Sequence, residues 1–107
     1  MKNDILGEWR CFAHQATLGE TPIRRWVDKY TDYTFYAGGT GSTKRKGLFG
    51  RTVTADFVWE YDYANDGFVI FVGDILWATC MLDGPNSMIM RIAAGLDKGA
   101  GYFYTRA

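Results

Sequence analysis

The sequence predicts an all-β fold, an eight-stranded up-and-down antiparallel barrel formed by residues 1–107 as one domain. The chain contains 13 glycines and only 2 prolines, as expected for short strands joined by tight turns. No stretch of ten or more residues has a helical period of apolar side chains. Residues 53–63 instead alternate with a period of two, with acidic residues at even positions. The odd, inward positions are Val53, Ala55, Phe57, Trp59, Tyr61 and Tyr63.

Eight segments have the length and composition of strands, and glycine-rich turns separate several of them. The predicted strands are 6–13, 23–36, 41–46, 53–63, 68–72, 75–82, 88–94 and 100–106. A meander of eight strands leaves two open edges unless it closes on itself. Eight strands also make a barrel just wide enough to be filled by side chains or to hold one small ligand. Closure into a barrel is therefore expected.

Alternation within each strand predicts which side chains point inward. In the first strand it places Trp9, Cys11 and Ala13 on one face and His14 on the other. In the seventh strand it places Arg91 in water. The second strand has aromatic residues on both faces, which predicts a bend or bulge. One of its faces carries Val27, Tyr33 and Phe35, and the other carries Trp26, Tyr30 and Tyr36.

The balance of charge argues against several classes of partner. Twelve basic and twelve acidic residues give a net charge of zero, so no overall field attracts nucleic acid or an anionic membrane, and neither is expected as a partner. The basic cluster of Lys44, Arg45 and Lys46, followed by Arg51, is interpreted as a solvated hairpin edge. Nothing before Gly7 has the apolar character of a signal segment, so a cytoplasmic protein is expected.

Few residues have the character of a catalytic or metal site, and no metal or cofactor is expected. Two cysteines, Cys11 and Cys80, are too few for a disulfide scaffold and are interpreted as free, buried thiols. The one histidine, His14, lies three residues from Cys11, so an extended strand would place the two on opposite faces. An exposed histidine, or one at the barrel rim, is the simplest interpretation.

Several short motifs occur in the order known from one superfamily. They are Gly7-Glu8-Trp9, residues 33–41, residues 57–61 and Tyr104-Thr105-Arg106. Together they resemble a small lipocalin-like (calycin) β-barrel. The resemblance implies that Gly7 and Trp9 open the first strand and that Arg106 packs over Trp9 to close the barrel base. Relatives that carry large ligands are longer and have a helix after strand eight, for which this sequence has no equivalent.

If the barrel closes, its interior is the candidate site. The side chains expected to line one cavity are Tyr33, Phe35, Phe57, Trp59, Tyr61, Trp77, Met81, Met88 and Met90. A filled core and a small cavity are both compatible with them. The function expected is binding of a compact hydrophobic or aromatic small molecule in this cavity. Residues 15–22 are expected to act as its gate. Trp59→Ala tests this prediction, because it should abolish binding if Trp59 lines the cavity.

Two other classes of function remain open. One is a protein-interaction module, either a protease inhibitor acting through its loops or a homodimer joined through Trp26, Tyr30 and Tyr36. The other is a cyclase or isomerase that uses the cavity. Its acid–base candidates would be Tyr33, Tyr61, Tyr102 and Glu60.

Overall fold

The structure is a computed structural model, and it describes residues 1–24 and 30–107. Within these residues no helix has the length and apolar character needed to span a membrane. The strands are β1 (Gly7–Gln15), β2 (Ile23–Arg24), β3 (Asp32–Tyr36), β4 (Thr40–Lys46), β5 (Thr52–Asp62), β6 (Gly67–Val72), β7 (Ile75–Leu82), β8 (Ser87–Ile92) and β9 (Gly101–Arg106). Short 3-10 turns at Lys2–Ile5 and Leu48–Gly50 complete the regular structure.

The strands confirm the predicted fold class, a closed eight-stranded up-and-down antiparallel barrel. Strand β1 pairs with β3, each later strand pairs with the next in sequence, and β9 returns to pair with β1. Strand β2 is a two-residue addition that pairs with β1 at Ala13 and His14. The predicted second strand, 23–36, is therefore divided into β2 and β3. Its predicted bend, with Trp26 and Val27, lies outside the described residues.

The barrel has two ends, which we call the base and the mouth. At the base, β1 begins at Gly7 and β9 ends at Arg106. At the mouth, β1 ends at Gln15 and β9 begins at Gly101. Neighbouring strands run in opposite directions, so each end of a barrel strand can be assigned to the base or to the mouth.

Side chains fill the barrel between its middle and its base. The largest fully buried ones include Trp9, Phe35, Phe68, Ile70, Met88 and Met90. Aromatic rings form a continuous edge-to-face series, with centroids 5.1 Å apart for Phe35–Phe57 and 5.9 Å apart for Phe35–Trp59. Gly41 permits this packing, since a Cβ there would lie 2.1 Å from the Phe57 ring.

Trp9 and Arg106 close the base. The Trp9 indole Nε1–H donates to the Ile5 carbonyl at 2.8 Å, and the Arg106 guanidinium carbon lies 4.2 Å from the centre of the Trp9 ring. Arg106 also donates to the backbone carbonyls of Leu6, at 2.6 Å, and of Asp4. Gly7 has a φ of +113°, and a Cβ at this position would lie 3.3 Å from the Arg106 Nη1 atom. The base therefore depends on a residue without a side chain at position 7.

Two β-bulges near the mouth change which side chains face inward. In β1, Cys11 pairs with Tyr104 but Ala13 pairs with Phe103, so one extra residue is inserted. Beyond that bulge His14 pairs with Tyr102, which shares the inner face with Tyr104. The prediction that Cys11 and His14 lie on opposite faces is therefore wrong, because it assumed an uninterrupted strand.

The second bulge lies in β7. Ala78 pairs with Ile70 while Leu76 pairs with Phe71, which leaves Trp77 as the extra residue. Ala78 and Cys80 are the buried residues of β7, whereas Met81 is 60% exposed on the outer face. The prediction that Met81 points into the barrel is wrong, because Trp77 faces inward only through the bulge and does not share a regular face with Met81.

The β4–β5 hairpin extends past its neighbours at the mouth. β3 first pairs with β4 at Lys44, and the last pair of β5 with β6 is Val58 with Phe71, but β4 and β5 remain paired as far as Lys46 and Thr52. Because no strand faces this extension, Val53 and Ala55 are exposed. Tyr63 is also exposed, beyond the other end of β5. Val53 and Ala55 keep the face of Phe57, as predicted, but they are not buried in the barrel, and Tyr63 lies outside it.

Arg91 differs from its prediction in a smaller way. It lies on the outer face of β8, but it is half-buried rather than fully solvated. Its Nη1 donates to the Gln15 Oε1 at 2.9 Å and to the Gly99 carbonyl at 3.2 Å. The guanidinium crosses over Gly101, where a Cβ would lie 2.6 Å from Nη1. Arg91 thus connects β8 to the mouth end of β1 across a glycine.

Candidate functional site: the pocket at the barrel mouth

A pocket of about 320 Å³ opens at the mouth. Its lining is mainly aromatic: His14, Tyr30, Thr31, Tyr33, Trp77, Ile92, Asp97, Tyr102 and Tyr104. A second depression of about 250 Å³ shares Thr31, Tyr33 and Trp77 with the first and continues toward Arg45 and Phe57 on the β4–β5 hairpin. The two depressions meet at Tyr33 and Trp77, whose indole N–H donates to the Tyr33 hydroxyl at 3.4 Å.

Three rings form a cluster on one side of the mouth pocket. His14 lies 5.9 Å from Tyr30 and 6.2 Å from Tyr102, measured between ring centroids. The His14 Nδ1 is 3.2 Å from the Tyr30 hydroxyl oxygen, which in turn lies 3.4 Å from the Ile23 carbonyl. When Tyr30 donates its single proton to Ile23, His14 must carry a proton on Nδ1 to complete the pair. The tautomer of His14 therefore depends on whether Tyr30 donates to Ile23 in β2.

The pocket tyrosines are hydrogen-bond donors at neutral pH. Burial raises the pKa of Tyr33 to about 12 and the pKa of Tyr104 well above its ordinary value. Burial also raises the pKa of Tyr102, and the neighbouring Asp97 carboxylate acts in the same direction. Tyr104 donates its hydroxyl proton to the Thr31 carbonyl at 3.2 Å. Protonated phenols of this kind can orient a ligand through its acceptor groups but are poor general bases.

The acid–base candidates do not converge. Tyr33 and Tyr102 lie at the mouth. Tyr61 lies at the base and is partly buried. It donates to Asp66, and this hydrogen bond raises the pKa of Tyr61 to about 12. Glu60 is exposed on the outer face of β5. Of the four candidates, only Tyr33 and Tyr102 therefore share a pocket, and Tyr61 and Glu60 lie outside it.

The cysteines are free, buried thiols. Burial raises the pKa of Cys11 to about 12, and its Sγ lies 3.4 Å from the Ala13 carbonyl, to which it donates. Burial also raises the pKa of Cys80. Such thiols have little thiolate character and are poor nucleophiles. Among residues 1–24 and 30–107, no three His, Cys, Asp or Glu side chains are grouped as metal ligands.

The structure separates the predicted cavity residues into four groups. Tyr33, Phe57 and Trp77 contribute to the mouth depressions. Phe35, Trp59, Met88 and Met90 are buried in the filled interior. Tyr61 lies near the base, and Met81 is on the outside.

Several pocket residues did not follow from the predicted cavity. His14, Ile92, Tyr102 and Tyr104 also line the pocket. The alternation of the last strand, which places Tyr102 and Tyr104 on one face, is the signal that could have identified these two. No sequence signal revealed the bulge that brings His14 inward.

The aromatic residues proposed for a dimer surface do not form one patch. Tyr30 is buried at the mouth, whereas Tyr36 is half-exposed near the base. Trp26 lies outside the described residues. A homodimer remains a prediction, but Tyr30 and Tyr36 do not form a common surface for it.

The crystal structure of a lipocalin-like protein from Bacteroides uniformis ATCC 8492 is similar to this chain, with a TM-score of 0.67. The fold is lipocalin-like. The likeness covers 97% of this chain and 99% of the other at 14% sequence identity, so it concerns the fold alone. No protein-family model matches the sequence of this lipocalin-like barrel, and no curated protein matches it in sequence.

Proposed function

We propose that this lipocalin-like barrel binds one compact aromatic or apolar molecule at its mouth. The pocket of about 320 Å³ carries the proposal. Its volume falls within the range of about 300–1,000 Å³ that is typical of small-molecule sites. Aromatic walls with a few convergent polar groups are also typical of such sites.

The packing supports a site at the mouth rather than one deep in the barrel. A ligand in the lower half would have to displace Trp59, whose indole N–H is shared between the Tyr36 carbonyl at 3.1 Å and the Thr40 carbonyl at 2.9 Å. Removing this donor takes a hydrogen bond from two part-buried carbonyls, which is costly. At the mouth, by contrast, Trp77 and Tyr102 are only half-buried. A ligand could cover them without breaking the core.

The lining suggests the chemistry of the ligand. Ile92, Trp77 and the tyrosine rings would supply most of the affinity through apolar burial, worth about 25 cal/mol per Å² before the costs of association. The phenols of Tyr33 and Tyr102 would donate to a carbonyl, ether or ring-nitrogen acceptor. The chain after β1 would flank the ligand. Gln15 donates to the Glu20 carbonyl at 2.6 Å and holds the start of this segment, which we propose acts as the gate.

The test is titration with a neutral, environment-sensitive dye such as N-phenyl-1-naphthylamine, read by dye fluorescence. We expect saturable binding at one site per chain and a loss of at least about tenfold in affinity for Trp77→Ala. The matched control is Tyr63→Ala, which removes an exposed aromatic residue beyond the base and should leave the affinity unchanged. Native mass spectrometry of protein purified from its source would reveal a bound natural ligand.

Two results would contradict the proposal. The first is an absence of saturable dye binding by folded wild-type protein together with a bare native mass. The second is equal affinity in wild-type protein and in a folded Trp77→Ala variant, which would place the site away from the mouth.

A further inference from the structure

The tip of the β4–β5 hairpin carries a phenylalanine that the fold does not use. Phe49 is 100% exposed, and its φ of +61° lies in the left-handed region. That conformation is unfavourable for a residue with a large side chain and is better suited to Gly or Asn. An exposed ring on a strained backbone therefore opposes folding stability without contributing to the core, which indicates a role outside the fold.

The same hairpin concentrates the positive charge of the chain. Residues 44–51 contain Lys44, Arg45, Lys46 and Arg51 and no acidic residue. Glu8 offsets part of this charge through an ion pair with Lys44 at 3.9 Å, and the partly buried Asp32 also lies near Lys44. Arg45 and Arg51 belong to the extension that lies beyond the paired ends of β3 and β6. The tip is therefore a cationic projection with an aromatic residue at its end.

Negative charge is concentrated elsewhere. Residues 52–90 contain no lysine or arginine, and their acidic residues are Asp56, Glu60, Asp62, Asp66, Asp74 and Asp83. Three of these, Asp62, Asp66 and Asp83, lie in or beside the turns at the base. Asp74 and Asp97 lie at the mouth end, but the charged side chains of residues 44–51 are all cations, so the net charge of zero is an average over a cationic hairpin tip and a more acidic base. An anionic surface would attract the hairpin and repel the base, which would orient the barrel with its mouth toward that surface.

We propose that the β4–β5 hairpin docks this protein on an anionic lipid bilayer, with Phe49 inserted at the headgroup boundary. Basic side chains beside one exposed aromatic residue provide the two signals, electrostatic and apolar, that reversible membrane attachment requires. Phe49 lies at a hairpin tip that neither β3 nor β6 flanks, which suits insertion between lipid headgroups. Single-stranded nucleic acid is the less favoured partner. Its sites combine a basic groove with aromatic side chains on which successive bases stack, whereas residues 44–51 contain one aromatic residue, Phe49.

The experiment is cosedimentation of the full chain with vesicles, using phosphatidylcholine alone or mixed with phosphatidylserine. We expect binding only to the mixed vesicles, with affinity that falls as salt concentration rises. Arg45→Gln combined with Arg51→Gln should weaken binding roughly twentyfold or more, from about fivefold for each cation. The control is Lys2→Gln combined with Lys98→Gln, which has the same net charge, leaves the hairpin intact and should retain most of the affinity.

Phe49 gives the sharper test, because its substitution should separate binding from stability. Phe49→Asn suits the left-handed backbone and should keep or raise the unfolding temperature while lowering vesicle affinity at least fivefold. Phe49→Trp should bind at least as well as wild type, since Trp favours the membrane interface. Tyr63→Asn, the control at the opposite end, should leave vesicle binding unchanged.

The proposal would be overturned if wild-type protein did not bind vesicles that contain phosphatidylserine. It would also be overturned if the double substitution of Arg45 and Arg51, or Phe49→Asn, left vesicle binding unchanged. Binding of a fluorescent single-stranded oligonucleotide that requires Phe49, without any vesicle binding, would identify nucleic acid as the partner instead. Dye binding at the mouth is measured without vesicles, so failure of membrane docking is distinguishable from failure of the proposed ligand site.

Discussion

The base and the mouth of the barrel are both rich in aromatic residues, but they differ in where their polar groups find partners. At the base, Trp9 and Arg106 donate to backbone carbonyls at 2.6–2.9 Å. At the mouth, Tyr104 and Tyr30 also donate to backbone carbonyls, at 3.2 Å and 3.4 Å. There, however, the side chains of His14, Tyr30, Tyr33 and Trp77 also pair with one another at 3.2–3.4 Å. Short bonds to fixed backbone stabilise one arrangement, whereas longer bonds between side chains can be exchanged for bonds to a ligand. The base therefore stabilises the fold, and the mouth is where we propose binding.

Two tryptophans give the most direct form of this comparison. Trp59 is 3% exposed and its indole nitrogen has two carbonyl partners. Trp77 is half-buried, sits at a bulge and has one side-chain partner. If the two ends differ as we describe, replacement by alanine should cost more folding stability at Trp59 and more ligand affinity at Trp77.

The largest expected effect is that of Trp59→Ala. It should lower the free energy of unfolding by about 3–5 kcal/mol, because it creates a cavity in the filled interior and removes the donor to two carbonyls. Trp77→Ala should cost less than about 2 kcal/mol, since part of that ring is already in water. Urea denaturation followed by circular dichroism measures both. Equal losses would remove the distinction between core and mouth.

A smaller effect is expected from Arg106→Met, which tests the closure of the base. Loss of the contact with Trp9 and of the charge-assisted bonds to backbone carbonyls should cost about 2 kcal/mol of unfolding free energy. Arg106→Lys should recover only part of this loss, because an ammonium cannot reproduce the planar fork of donors. Lys98→Met, at an exposed position, is the control and should change stability by less than about 0.5 kcal/mol. A neutral Arg106→Met would show that the base is closed by packing alone.

The smallest expected effect concerns alkaline pH and the mouth. Because the pKa of Tyr33 is raised to about 12 when folded, the unfolded chain loses this proton first as pH rises above about 10. The contribution of Tyr33 to stability is therefore complete below about pH 10 and declines as pH rises toward 12. Tyr33→Phe should make the loss of stability between pH 9 and pH 11 smaller by about 1 kcal/mol. An identical decline in both proteins would show that the Tyr33 phenol is accessible to water.

The sequence was sufficient for the fold class, because the fold depends on repeated signals. Turn glycines recur between strands, and the alternation of β5 is nearly unbroken. The order of the motifs around Trp9 and Arg106 identified the lipocalin-like architecture, which the structure and its likeness confirm.

The mouth could not be predicted in the same way, because it depends on exceptions to alternation. Bulges place His14 and Trp77 in the pocket. The bulge in β1 forms against β9, which is distant in sequence, and the bulge in β7 forms within the β6–β7 hairpin. A prediction that assumed unbroken alternation along each strand therefore placed His14 and Met81 on the wrong faces. The exposure of Val53 and Ala55 had a similar cause, since the lengths of β3 and β6 decide whether that part of β5 has neighbours.

The bulge in β1 makes the spacing between two parts of one strand a determinant of chemistry. Trp9 and His14 both face inward although their positions differ by five, an odd number, and a regular strand forbids this. If β1 kept its present length but formed no bulge, Ala13 would pair with Tyr102 and the imidazole of His14 would turn to the outside of the wall. Homologues with such a regular first strand would share the barrel and lack the histidine side of the pocket. The in–out alternation of side chains is therefore shifted by one residue between the two halves of β1.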